Sequence, residues 1–417
     1  SISGSSTFQL NSALRGGAVF SSGVASLTNM TCIQNRASQR GGCASLDSDD
    51  SVHTISAIVM GNFSPMGGGI SVAGEGPVRI FNSFFHQNVA QNLGGALVVF
   101  LRLNGNVTVT NSSITSNSVL SGLGGALTML VGSNSITFTR TVFEDNASLN
   151  MHGGSVYVEG SIPAYLVFEG GLFRNNWAKF TGGAVDATTN IFADFVHCTF
   201  VNNSALQGGA LHLSDRVQFS LSHSTLSQNL ATLGGGAIYV VDSASLNLQG
   251  VNISSNIVTS QSGQVVGGGA VYIGSTSTLT MTSSLAVQNQ APYGGAIFMT
   301  LQASCTVTLS QLSGNSASNG GAVYGSLAQS ASSPTTVVPA LLVQQSILSG
   351  NTARGQGGGI WVSLGFLSLG PDVLISNNTA FSGGGLFLGM TALSESFSPS
   401  TCSVIPAQSI PQCGFSL

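Results

Sequence analysis

A Gly-Gly-small-aliphatic tetrad that returns fourteen times limits the folds open to this chain more than anything else in it. The tetrads open at Gly16, Gly41, Gly67, Gly94, Gly124, Gly153, Gly182, Gly208, Gly235, Gly268, Gly294, Gly320, Gly357 and Gly383, most often 26 residues apart with insertions at a few places. Each is preceded, 5 to 12 residues earlier, by apolar-x-x-Asn, as in Phe8 to Asn11, Phe85 to Asn88, Phe143 to Asn146 and Leu312 to Asn315. A length of 417 residues would suggest two or three domains of about 150 each, but an internal repeat overrides that expectation.

Between the signatures the pattern has period two, as in Val107-Thr108-Val109-Thr110 or Ser245-Leu246-Asn247-Leu248. Such short alternating segments, separated by Gly, Asn and Ser, predict strands. A unit of about 26 residues with three short strands cannot bury its own apolar face and must stack on the next unit. The predicted fold is all-β: a right-handed parallel β-helix of about 14 coils with about 26 residues per coil, giving a rod of roughly 65 Å over residues 1–390. Residues 391–417 form a Ser/Pro-rich tail outside the repeat.

The two signatures have separable physical roles. Paired glycines reach backbone angles closed to other residues and let neighbouring coils approach closely. The signature Phe, Leu or Ile should stack on its equivalents one coil away. The signature asparagines Asn11, Asn35, Asn88, Asn117, Asn176, Asn203, Asn229, Asn315, Asn351 and Asn378 should hydrogen-bond the turn and form an amide ladder. Asn62 and Asn146 also occupy signature positions.

These tandem Gly-Gly-Ala-aliphatic and Phe-x-x-Asn motifs resemble the repeat of the chlamydial polymorphic membrane proteins, over about residues 8–390. The resemblance implies a secreted, surface-displayed β-helical passenger involved in adhesion, and it brings no catalytic residues. The segment from Ser394 to Leu417 departs from the family, having no alternating membrane strands and no terminal Phe.

Composition narrows the function classes. Only 6% of residues are charged and the formal charge is −4, with one lysine, Lys179. There is no basic stripe to neutralise a phosphate backbone, so nucleic acid is not an expected partner. Mean hydropathy is +0.35, yet the apolar runs stop at about six residues, far short of the roughly 20 that a membrane-spanning helix needs. The chain opens at Ser1 without a signal peptide, which reads as a processed chain or a window on a longer one.

Cys32 takes a signature apolar position and Cys43 the small position of its tetrad, so both should point inward in one coil, as a disulfide or as two buried thiols. Cys402 and Cys413 in the tail are a second candidate pair. Cys198 and Cys305 lie about four coils apart, beyond disulfide reach, and read as buried small hydrophobes. Sequons occur at Asn29, Asn62, Asn106, Asn111, Asn146, Asn202, Asn252 and Asn377. Alternation makes Asn29, Asn111 and Asn252 the outward-facing glycan candidates, followed by Asn106, Asn202 and Asn377. Asn62 and Asn146 should be engaged in the turn.

Many parallel β-helices act on polysaccharides, a chemistry that needs clustered carboxylates or a bound cation. Here carboxylates are spread singly except for Asp47, Asp49 and Asp50 near His53, and the neighbours Glu144 and Asp145; both groups read as solvated turns. His86, His152, His197, His212 and His223 show no metal-ligand spacing. Adjacent His197 and Cys198 would point to opposite faces of a strand. Tyr239, Tyr272, Tyr293, Tyr324 and Trp361 could line a sugar-stacking face or be buried in strands. No catalytic residue, cofactor or metal is expected. The predicted function is an extracellular structural protein, a glycosylated cell-surface fibre or filament subunit whose partner is itself, head to tail or side by side. A surface adhesin contacting a host or neighbouring cell is the alternative, and a polysaccharide-active enzyme the third.

Overall fold

The structure is a computed structural model and describes residues 1–389 except 3, 49–51, 102–104, 133–134, 260–265, 301, 326–339 and 364–365. It is all-β, with parallel strands stacked as a β-solenoid of about 13 turns spaced about 27 residues apart. Fourteen tetrads delimit thirteen complete turns. No helix among the described residues is long and apolar enough to cross a membrane.

The chain divides into two compact units, the first comprising Ser1–Ala205, Ala210–His212 and Arg216–Gln218, the second Leu206–Gly209, Leu213–Asp215 and Phe219–Leu417. One turn of the first unit shows the plan. Val78–Phe81 and Phe84–His86 belong to a first sheet, Val89–Leu93 to a second and Leu97–Leu101 to a third. Each pairs in parallel with the turn above: Phe85 opposes Ile114, Val89 opposes Ser118 and Leu97 opposes Leu127. The second unit repeats this, with Leu246 opposite Leu279, Ile253 opposite Ala286 and Val271 opposite Ile297.

Strand alternation sorts the side chains. In Asn106–Thr110, Val107 and Val109 are buried while Asn106 and Thr108 are exposed. Repetition at the strand spacing places like on like: Phe143 stacks on Phe173 with ring centroids 5.0 Å apart, and Phe173 on Phe200 at 4.7 Å. A parallel row, Phe138 on Phe168, stacks at 4.3 Å.

The tetrads act as expected at the corner between the second and third sheets. Gly94 has φ +55, and a Cβ on Gly95 would lie 2.1 Å from the carbonyl oxygen of Gly125 one turn on. No side chain fits there, so the second glycine is what permits the turns to close on one another.

Candidate functional site

The interior of the solenoid is organised by two side-chain ladders, and the amide ladder is the more continuous. In the first unit Asn88 donates to Asn117 Oδ1 from its backbone N at 2.9 Å and its Nδ2 at 3.0 Å. Its Nδ2 also reaches back to the carbonyl of Val59 at 2.8 Å. The same arrangement links Asn11, Asn35, Asn62, Asn88, Asn117, Asn146, Asn176 and Asn203. In the second unit it links Asn229, Asn256, Asn289, Asn315, Asn351 and Asn378. Carboxamide is the one group that suits the slot, since its oxygen takes two N–H donors from one turn while its nitrogen serves the signature carbonyl of that turn. Asn35 through Asn351 are buried; Asn11 is exposed and Asn378 half-buried.

Sequence reading placed a signature before every tetrad but did not name Asn256 and Asn289 among the ladder residues. The signal was present as Ile253 to Asn256 and, with the apolar position reduced to alanine, as Ala286 to Asn289. It missed the second ladder altogether. Five residues before each signature Asn stands a buried position, often a hydroxyl, whose oxygen accepts a backbone N–H of the preceding turn. Ala57 N donates to Ser83 Oγ at 3.1 Å and Ser83 N to Ser112 Oγ at 3.2 Å; in the second unit Ser284 N donates to Ser310 Oγ and Ser310 N to Ser346 Oγ, each at 3.1 Å. Cys198 takes this slot with sulfur. Its thiol lies 3.6 Å from Phe168 O and 3.5 Å from Val196 O, matching the hydroxyl of Ser83 on Ile55 O and Phe81 O. Burial pushes the Cys198 thiol up to about 12, against the pull of backbone N–H donors such as Gly171, and burial alone does the same to Cys305.

Residues preceding the ladders turn through the left-handed region, among them Gln87 at φ 54 and Asn111 at φ 48. Two of the candidate glycan sites, Asn29 and Asn111, sit at the hydroxyl-ladder corner and are exposed. Asn106, Asn202 and Asn377 are also exposed. Asn252 takes the outward position that alternation predicts but is half-buried there: its Oδ1 is enclosed without a hydrogen-bond partner, and Thr225 and Leu285 flank it in the same row.

Cys32 and Cys43 are joined by a disulfide with their Cα atoms 5.8 Å apart, inside one coil. Cys402 and Cys413 lie outside the described residues, as do Asp49 and Asp50. Asp47 is held by Arg40 and, at 3.7 Å, by Arg15. Glu144 pairs with Arg174 at 2.6 Å, and Asp145 accepts from Asn175, which in turn accepts from Asn202. Among the described residues no group of three His, Cys, Asp or Glu is placed to hold a metal ion.

One polar cluster could carry chemistry. On the outward side of the third sheet in the first unit, Asp186 is 2% exposed. His212 Nδ1 lies 3.1 Å from one carboxylate oxygen; the Thr181 hydroxyl donates to the other, from which His152 Nδ1 is 3.8 Å away. Burial alone would raise the Asp186 carboxyl, but His212, Thr181 and His152 together hold it below the ordinary value. Beside it Tyr157 donates to Glu159, and burial, reinforced by the two carboxylates, raises its phenol. Each carboxylate oxygen is engaged in this local network, which is what a buried structural charge requires.

In the second unit the corresponding row is aromatic. Tyr239 stacks on Tyr272 at 4.2 Å and Tyr324 on Trp361 at 4.1 Å, with Phe298 between and Phe387 beyond. Tyr293, on the segment entering its tetrad, leans against Phe298 and Tyr324. Ring faces turned on one another present only edges to solvent, so the row packs the sheet and offers no open platform to a sugar.

These features define a parallel β-solenoid built on buried amide and hydroxyl ladders. No family model matches the chain, and no curated protein matches it.

Proposed function

We propose that the chain is an extracellular structural protein, a surface fibre or filament subunit without a catalytic role. The observation that carries this reading is the amide ladder. Its pairing rule repeats from turn to turn within each unit, so strength and length come from repetition, and the repeated chemistry of the interior is spent on holding turns together. The Cys32–Cys43 bridge supports an oxidising, secretory route, since such bonds are rare in reducing compartments. Only ten Lys and Arg in 417 residues, on a chain whose strands pair turn to turn, leave trypsin few sites to cut.

Negative-stain electron microscopy of the native protein at two concentrations, with limited trypsin digestion, tests the proposal. Filaments, or rods that survive digestion intact, agree with it; a compact, rapidly cleaved particle would overturn it.

A second reading, an adhesin of the polymorphic-membrane-protein type, draws on the sequence resemblance and on one surface observation. Tyr165 is 57% exposed and stacks on Phe192 with centroids 5.4 Å apart, an aromatic pair on the outward face of the first sheet. Loss of cell binding in Tyr165→Ser, with the solenoid intact, would favour it.

A further inference from the structure

The eight sequons, which the repeat and strand alternation already sort by position, are unlike as structure. We infer that Asn29 and Asn111 are N-glycosylated and that Asn62 and Asn146 carry no sugar, so that glycans line one edge of the first unit, the corner that bears the hydroxyl ladder. This rests on the secretory reading above and deepens it by naming the modified atoms.

Asn29 has φ 55 and Asn111 φ 48, and both are exposed. At this corner the backbone turns outward, and the left-handed conformation, which Asn tolerates better than most residues, lifts the side chain off the sheet. The hydroxyl residues of the two sequons, Thr31 and Ser113, are half-buried on the adjoining strands. Three turns separate the sites, or about 14 Å at the strand spacing, enough for two sugar chains side by side.

Asn62 and Asn146 are fully buried, and their amides are consumed. Asn62 Nδ2 donates to Cys32 O at 3.2 Å, Met60 O at 3.1 Å and Asn88 Oδ1 at 2.9 Å. Asn146 Nδ2 donates to Ile114 O at 2.8 Å and Asn176 Oδ1 at 3.1 Å. A sugar on either nitrogen would replace one of those N–H groups and bring a pyranose ring into the core. Asn202 is exposed, but its Nδ2 is tied to Asn175 Oδ1 at 2.8 Å, and Asn252 is half-buried.

The reaction is ordinary group transfer from a lipid-pyrophosphate oligosaccharide, supplied by the secretory pathway. The C1–O bond to phosphate breaks, the lipid pyrophosphate leaves with that oxygen, a C1–Nδ2 bond forms, and Nδ2 gives up one proton.

The test is glycopeptide mass spectrometry of the protein from its native source, digested with chymotrypsin without reduction, before and after amidase treatment in heavy-oxygen water. We expect heavy Asp at positions 29 and 111 and unmodified Asn at 62 and 146. Bare Asn29 and Asn111, or sugar on Asn62 or Asn146 in folded protein, would overturn the inference. The same digest reports the Cys32–Cys43 bridge: bare asparagines with the bridge intact sink the glycan assignment alone, whereas reduced cysteines as well would sink the secretory reading beneath it. Asn29→Gln with Asn111→Gln should reduce the amidase-sensitive mobility shift by two sugar chains and leave trypsin resistance unchanged.

Discussion

Asn88 and Asn117 meet one turn apart in the dry interior, where a single oxygen, Asn117 Oδ1, takes both the backbone and the side-chain N–H of Asn88. Removing that oxygen leaves two buried donors without partners at once. Asn117→Ala should therefore destabilise the protein by about 3 kcal/mol or more, since each orphaned buried group costs roughly 1–3 kcal/mol. Exposed Thr108→Ala on a neighbouring strand is the control, expected to cost less than about 1 kcal/mol. Urea unfolding curves of the two variants check this.

Gly95 faces a harder limit. A Cβ there would stand 2.1 Å from Gly125 O, and the obstacle is backbone that cannot rotate away. Gly95→Ala is expected to push the turns apart and lose several degrees of melting temperature or fail to accumulate. Gly23→Ala, where nothing lies within 4 Å, should melt with the parent.

Cys198 should behave as a member of the hydroxyl ladder. Cys198→Ser preserves the acceptor and is expected within about 1 kcal/mol of the parent, while Cys198→Ala leaves the Gly171 N–H short of its partner and costs about 1–3 kcal/mol. With both thiols pushed up to about 12, neither Cys198 nor Cys305 should react with iodoacetamide at pH 8 until denaturant is added.

His53 is 1% exposed, and neither ring nitrogen has a hydrogen-bond partner. Burial lowers its pKa from 6.5, with Asp47 pulling weakly the other way. The folded chain keeps the ring neutral while the unfolded chain takes up a proton, so stability is complete above about pH 6.5 and falls as the pH drops below it, by up to about 1.4 kcal/mol per unit. His53→Leu should flatten that slope between pH 7 and pH 5 in thermal melts.

Asp186 gives the opposite test. Its lowered pKa contributes stability that is present above about pH 4 and is lost only as the pH falls through the folded value. Asp186→Ala strips the acceptor from His212 and Thr181 and is expected to cost about 2–4 kcal/mol at pH 7, as measured by chemical denaturation.

The repeat wrote most of the fold into the sequence. A period near 26, alternation between signatures and paired glycines leave stacking of parallel turns as the way to bury the apolar rows, and Phe143, Phe173 and Phe200 had only to recur in step to stack. The turn asparagines were legible for the same reason, because one residue type returned at one offset. What returned in disguise was not. Ser83 and Cys198 share a slot but not a side chain, and only the neighbouring turn's N–H reveals that each lends it an oxygen or sulfur. His152 stands 34 residues before Asp186 and His212 26 after it, and they meet because their turns stack. The repeat puts sequon Asn62 at a signature position and Asn111 outside one, but the hydrogen bonds that hold one amide inside while the other turns outward exist only between turns. Periodicity determines which residues lie at equal heights; the partners a side chain finds depend on the turns above and below, which is tertiary structure.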